Sequence, residues 1–131
     1  MVIRLKCRRI SKGMAEGLAL VSSQPISFFG MVDPKTGIII DKSHDLFGQS
    51  LSGRVLVFPY GRGSTVGSYI LYGLAKNRRA PAAIICHEAE PIVAVGAIIA
   101  CIPMVDRPEP FEFKNMQRIV VNADVEEILV Y

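Results

Sequence analysis

The stretch "GRVLVFPYGRGSTVGSYILYGLAK", Gly53 to Lys76, sets the architecture. Gly53–Phe58 is apolar and rich in valine, the composition of a buried strand, and Pro59 ends it. From Ser64 onward the period changes. Val66, Ile70, Leu71 and Leu74 fall at helical spacing, so Ser64–Lys76 reads as an amphipathic helix. Lys76, Arg78 and Arg79 lie at its C-terminal end, where the helix dipole favours cations. Between strand and helix sit Gly61, Gly63 and Gly67, the guanidinium of Arg62, and the hydroxyls of Ser64, Thr65 and Ser68. A strand, a glycine-rich turn and a helix make an anion site, because the free N–H groups of the first helical turn point outward. The spacing is neither a Walker loop nor G-x-G-x-x-G with a following acidic residue. Ser64 has two readings at this level: an N-cap worth about 1 kcal/mol, or part of an anion-binding site.

Working outward, Val2–Cys7 and Gly17–Val21 read as strands, "DPKTG" (Asp33–Gly37) as a turn, and Ile38–Asp41 as a further strand. "SHDLFGQS" and "RPEPFEF" are loops. Ala82–Cys86 reads as a buried strand. Pro91–Cys101 suits strand or helix, and helix is favoured because Pro91 follows Glu88 and Glu90 at a first-turn position. Met104–Asp106, Arg118–Val121 and Ile128–Tyr131 are short strands. The sum is a single α/β domain over residues 1–131, with seven or eight strands and two helices.

The 131 residues are half apolar, with 15 Lys and Arg against 12 Asp and Glu, a net charge of +3. Mean hydropathy is +0.35, high for a water-soluble chain of this length. The uncharged run between Glu90 and Asp106 is 15 residues, short of the ~20 a membrane span needs. No signal-peptide pattern follows the N-terminus, so a cytoplasmic protein is expected. The apolar excess points to an interface with a partner. The basic residues form small groups rather than a stripe, which argues against nucleic-acid binding.

Three cysteines at wide spacing, Cys7, Cys86 and Cys101, suit a reducing compartment. With no C-x-x-C pair, and with Cys86 and Cys101 inside apolar runs, the thiols read as buried and not as metal ligands. His44 beside Asp45 is expected to be an exposed loop histidine, with a base role the lesser alternative. His87–Glu88 lacks a third metal ligand at sensible spacing. A Ser64–His44–Asp45 triad is formally available, but Ser64 is not in a G-x-S-x-G elbow.

Three blocks, "PISFFGMVDPKTGIIID", "HDLFGQSLSGRVLVFPYGRGSTVGSY" and "APAAIICHEAEPIVAVGAIIACIPMVD", together resemble the small subunit of the aconitase X family, from about Gly17 to Val121. That resemblance implies a swivelling β/β/α domain and a large catalytic subunit as partner, in a heterodimer or higher assembly. It implies a 4Fe–4S cluster held by the large subunit and not by this chain. The implied activity is a hydro-lyase of the archaeal modified mevalonate route to isoprenoids. It takes (R)-5-phosphomevalonate to trans-anhydromevalonate 5-phosphate, with another hydroxy acid such as cis-3-hydroxyproline, or a non-catalytic anion-binding module, as alternatives. The family's catalytic serine maps onto Ser64 of G-R-G-S. Arg62, Gly63, Thr65, Gly67 and Ser68 are then expected to bind the anionic substrate. The family loop often reads G-R-G-S-S-S-G-S. Thr65 keeps a hydroxyl there, and Val66 does not.

Overall fold

Every residue of Val55–Phe58 is buried, and its side chains alternate between two cores. Val55 and Val57 enter one, Leu56 and Phe58 the other. This is the period-two pattern of a strand covered on both faces. The computed structural model describes all 131 residues. In chain order the elements are β1 (Ile3–Lys6), β2 (Arg8–Ser11), β3 (Met14–Val21), α1 (Phe28–Met31), β4 (Val55–Phe58), α2 (Val66–Lys76), β5 (Ala83–Cys86), α3 (Pro91–Ile99), β6 (Met104–Asp106), β7 (Arg118–Asn122) and β8 (Glu127–Val130). A 3₁₀ turn, Ala123–Val125, joins β7 to β8.

The strand order is β1-β8-β7-β3-β4-β5-β6-β2. β3 belongs to both halves. Met14–Leu18 pairs antiparallel with β7, and Ala19–Val21 pairs parallel with β4. β4, β5 and β6 continue in parallel. The antiparallel wing curls over the parallel half, so Ile119, Val121, Ile128 and Val130 meet Val55, Val57, Ala83, Ile85 and Val105 in one cluster. The outer face of the parallel half carries Leu20, Leu56, Phe58, Ile84 and Met104. It is covered by Leu71 and Leu74 of α2, Val93 and Ala97 of α3, and the Ile26–Leu51 connection. The result is three layers, β/β/α, as the family resemblance implies.

α3 starts as its sequence dictates. Pro91 takes the first position, and the Glu90 carboxylate accepts from the N–H groups of Ile92 (2.9 Å) and Val93 (2.6 Å). Two sequence readings differ from the structure. Ile38–Asp41 is not a strand: Ile38 and Ile39 make only isolated bridges, to Ser50 and Val32. The segment is too tightly folded between the Asp33–Gly37 turn and the turns after Asp41 to align a ladder. Conversely, Arg8–Ser11 is a strand that its sequence hides. Two adjacent arginines break the alternation, and the register slips between Arg9 and Ser11 against β6.

Candidate active site

Because β3, β4, β5 and β6 run parallel, the segments following them emerge at one edge, the usual ligand-binding edge of such sheets. The β4 exit, Pro59–Thr65, runs beside the β3 exit. Ile26 N–H donates to Tyr60 O (3.3 Å), and Arg62 N–H donates to Ile26 O (3.1 Å). Ile26 is fully buried, so it anchors this short ladder in the core. Beyond Arg62 the ladder stops. The next backbone bond is from Gly67 N–H to Ser64 O (3.0 Å). The N–H groups of Gly63, Ser64, Thr65 and Val66 have no backbone acceptor, and all four residues are exposed. They are the orphan donors of a helix start.

Two glycines of this loop are required by close approach. A Cβ at Gly61 would lie 2.3 Å from Val93 Cγ2 and 2.6 Å from Glu90 Oε1. A Cβ at Gly63 would lie 2.4 Å from Ser27 Oγ, and Gly63 has φ +108°, a region only glycine enters at low cost. The loop is thus pressed between the α3 entrance and the Ser27 segment.

Ser64 itself is exposed, and its hydroxyl does not cap the helix. The residue at the cap position is Thr65, already in helical conformation (φ −57°, ψ −22°) and without a side-chain cap bond. This corrects the capping alternative, and it leaves the Ser64 hydroxyl without a partner in the chain. Arg62 is exposed and lines a polar recess of about 270 Å³ with Gln24, Asp41, Ser43 and His44. Asp41 there is held below the usual carboxylate value, first by the Ser43 hydroxyl and N–H, and weakly by His44 and Arg62. Gly67 is buried against Ile92 and Phe28. The buried Ser68 hydroxyl donates to Ile92 O at 2.6 Å, so it ties α2 to α3 rather than facing the loop. A larger recess, about 720 Å³, lies between β2 and the end of α3 and includes none of the Gly61–Ser68 residues.

The histidines separate. His44 is not the exposed loop residue its surroundings suggest: it is 6% exposed. Its Nδ1 accepts from Leu46 N–H (3.1 Å), which places the proton on Nε2, toward Pro25 O (3.2 Å). Asp45 Oδ1, 3.2 Å from Nδ1, takes the Ser22 hydroxyl instead (2.6 Å). Neither His44 nor Asp45 is bonded to Ser64. His87 is exposed and meets Phe111 edge-on at 5.3 Å, while Glu88 is bound by Arg107 (2.9 and 2.8 Å).

The thiols do not converge. Cys86 is buried among the α-side core, and burial pushes its thiol well above the ordinary value. Cys7 is half-buried, and burial together with Glu126, Asp106 and Glu127 pushes it up to about 12. Cys101 is exposed rather than buried, because the chain turns there with φ +57° at the end of α3. No three His, Cys, Asp or Glu side chains stand close enough to share an ion. The residues present therefore do not fit an iron–sulfur cluster within this chain. No helix is long and apolar enough to cross a membrane.

What fold and loop define is a swivelling β/β/α domain presenting an unpartnered serine among free backbone amides. Residues 4–130 match the family model described as the aconitase X swivel domain, and the chain belongs to that family. It is 58% identical over 124 residues to the phosphomevalonate dehydratase small subunit of Methanosarcina mazei, covering 92% of this chain and 86% of that one. It is 57% identical over 122 residues to the protein of the same name from Thermococcus onnurineus, covering 93% and 94%. The crystal structure of Thermococcus kodakaraensis aconitase X in its holo-form superposes with a TM-score of 0.95 at 52% identity, covering 98% of each chain.

The four residues Ser64, Arg62, Gly63 and Thr65, which the sequence marks as candidates, stand together at the exposed loop. Nothing local marks the contacts that Ser27 and Glu90 make with that loop, from 36 residues before Gly63 and 29 residues after Gly61. Contacts at such separations leave no local pattern.

Proposed function

We propose that this chain is the small subunit of a hydro-lyase that removes water from (R)-5-phosphomevalonate to give trans-anhydromevalonate 5-phosphate, with Ser64 as the base. The observation that carries this reading is the exposed, unpartnered Ser64 hydroxyl at the start of α2, flanked by four free N–H groups. Its relatives named as phosphomevalonate dehydratase small subunits support the substrate.

The reaction takes a proton from the carbon next to the carboxylate while the C–O bond to the neighbouring hydroxyl breaks and a C=C bond forms. A serine alkoxide is basic enough to take that proton but is scarce at neutral pH. The amides of Gly63–Val66, the α2 dipole and the Arg62 guanidinium all favour negative charge at this point. The same donors suit a substrate carboxylate or phosphate. Thr65 adds a hydroxyl beside the base. Water must be excluded for these dipoles to act at full strength, and Ser64 is exposed in the isolated chain, so a covering body is required.

We assign that role to a large subunit, which in this reading also holds the 4Fe–4S cluster. The apolar surface beside the loop supports a covered chain: Val66, Tyr69, Val95, Ile98 and Ile99 are exposed, and Thr65, Tyr69, Ile92, Val95 and Ile99 line a groove of about 550 Å³. We also infer a cytoplasmic location, which the three unpaired thiols support because they suit a reducing compartment.

The test is to co-purify the chain with its large subunit and follow dehydration of (R)-5-phosphomevalonate and of cis-3-hydroxyproline. Ser64→Ala is expected to lower kcat by about 10²- to 10⁴-fold. Turnover near wild type in Ser64→Ala would sink the base assignment. Activity confined to hydroxyproline would sink the substrate.

A further inference from the structure

The ladder between the β3 and β4 exits ends at Arg62 N–H, and the helix hydrogen bonds begin at Gly67 N–H. Gly63 and Ser64 lie in the gap, exposed and without backbone hydrogen bonds from their own N–H groups. Ser64 is tied on its C-terminal side, where its carbonyl accepts from Gly67 N–H (3.0 Å), so the Gly63 peptide that precedes it is the part that needs a further contact. The group in contact is Ser27. Its Oγ stands 2.4 Å, and its Cβ 3.3 Å, from the place a Gly63 Cβ would occupy. The Ser27 hydroxyl is itself held, donating to Phe29 O at 3.1 Å. Its N–H is directed at Met31 Sδ (3.1 Å), and the preceding residue, Ile26, is fully buried.

We propose that Ser27 is a positioning residue for Ser64: its side chain fills the space left by the missing Gly63 Cβ and so fixes the peptide that carries the base. This rests on the reading of Ser64 as base and deepens it. Ser27 is anchored to the core through Ile26, so the contact transmits the rigidity of the sheet to Gly63, whose own N–H has no backbone acceptor. Displacing a catalytic group by about 1 Å is enough to cost on the order of 10²-fold in rate.

The experiment uses the assembled complex and compares wild type, Ser27→Ala, Ser27→Cys and Ser64→Ala in steady-state kinetics across pH, with assembly checked by gel filtration. Ser27→Ala removes the filling atom. It is expected to lower kcat by about 10- to 100-fold, with KM within twofold and the complex intact. Ser27→Cys keeps an atom at the γ position and is expected to recover part of kcat. A lower amount of complex at wild-type kcat per complex would mark a purely structural role and overturn the proposal. If Ser64→Ala is inactive while Ser27→Ala turns over within twofold of wild type, the positioning role is overturned and the base assignment stands. A rise in KM at unchanged kcat also overturns it, since that pattern marks a substrate contact. Wild-type turnover in Ser64→Ala overturns both.

Discussion

Asp106 offers the sharpest test of how the sheet holds the site. Its side chain is fully buried at the end of β6. One carboxylate receives three donors: Arg8 Nε at 2.8 Å, Arg8 Nη2 at 2.7 Å, and Ala89 N–H at 2.8 Å. Arg8 comes from the edge strand β2, and Ala89 immediately precedes Glu90, which caps α3 and packs against Gly61. Asp106→Ala leaves Ala89 N–H without its acceptor, at about 1–3 kcal/mol. It also removes two charge-assisted bonds to Arg8. That loss is partly recovered, because the Arg8 side chain is 43% exposed and lies 3.6 Å from Glu88. The expected total is about 2–4 kcal/mol, less than for a fully buried pair because the Arg8 charge left behind stays half in water. For a domain of this size that is a fall in Tm of roughly 6–15 °C. Asp106→Asn retains an acceptor and should cost less than half as much. Urea denaturation of the three proteins, followed by circular dichroism, gives the comparison. A loss below about 1 kcal/mol for Asp106→Ala, at unchanged m-value, would refute the reasoning and show the cluster to be a solvated surface pair.

Further outcomes follow from individual contacts. Gly61→Ala should destabilise by about 1–3 kcal/mol through overlap with Val93 and Glu90, whereas Gly73→Ala, in the α2 interior with open space around it, should stabilise by about 0.5–1 kcal/mol; paired thermal melts separate the two. With Cys86 buried and Cys7 raised to about 12, Cys101 should be the one thiol that iodoacetamide modifies rapidly at pH 8, read by peptide mass mapping and abolished by Cys101→Ser. At Asp45, burial raises the carboxyl, but the Ser22 hydroxyl, the Ser23 N–H and hydroxyl, and His44 hold it below its ordinary value overall. A depressed carboxyl contributes stability above its unfolded value of ~3.9 and loses it as pH falls through the folded value. Ser22→Ala should therefore cost about 1–2 kcal/mol at pH 7, and the difference should shrink as denaturation is repeated toward pH 3.

The sequence by itself determined the α/β class, most of the elements and the identity of the loop, while the β/β/α layering followed only from the family resemblance. The continuous apolar run Val55–Phe58, the switch to helical period after Ser64, and Pro91 behind an acidic cap are local patterns with local causes, and the observed elements follow them. Ser64 and Arg62 were legible because G-R-G-S is contiguous. Tertiary structure decided what no local pattern encodes. β2 pairs with β6 across nearly a hundred residues, so its adjacent arginines are tolerated, one of them satisfied by Asp106. Cys101 left its apolar run for the surface through a left-handed turn, and His44 left the surface for a buried site where both ring nitrogens meet backbone groups. The loop that presents Ser64 takes its shape from Ser27 on one side and from Glu90 and Val93 on the other. The physical reason is common to these cases. Burial and close contact depend on which distant segments the fold brings together, and a side chain's exposure or partner is fixed only once they meet.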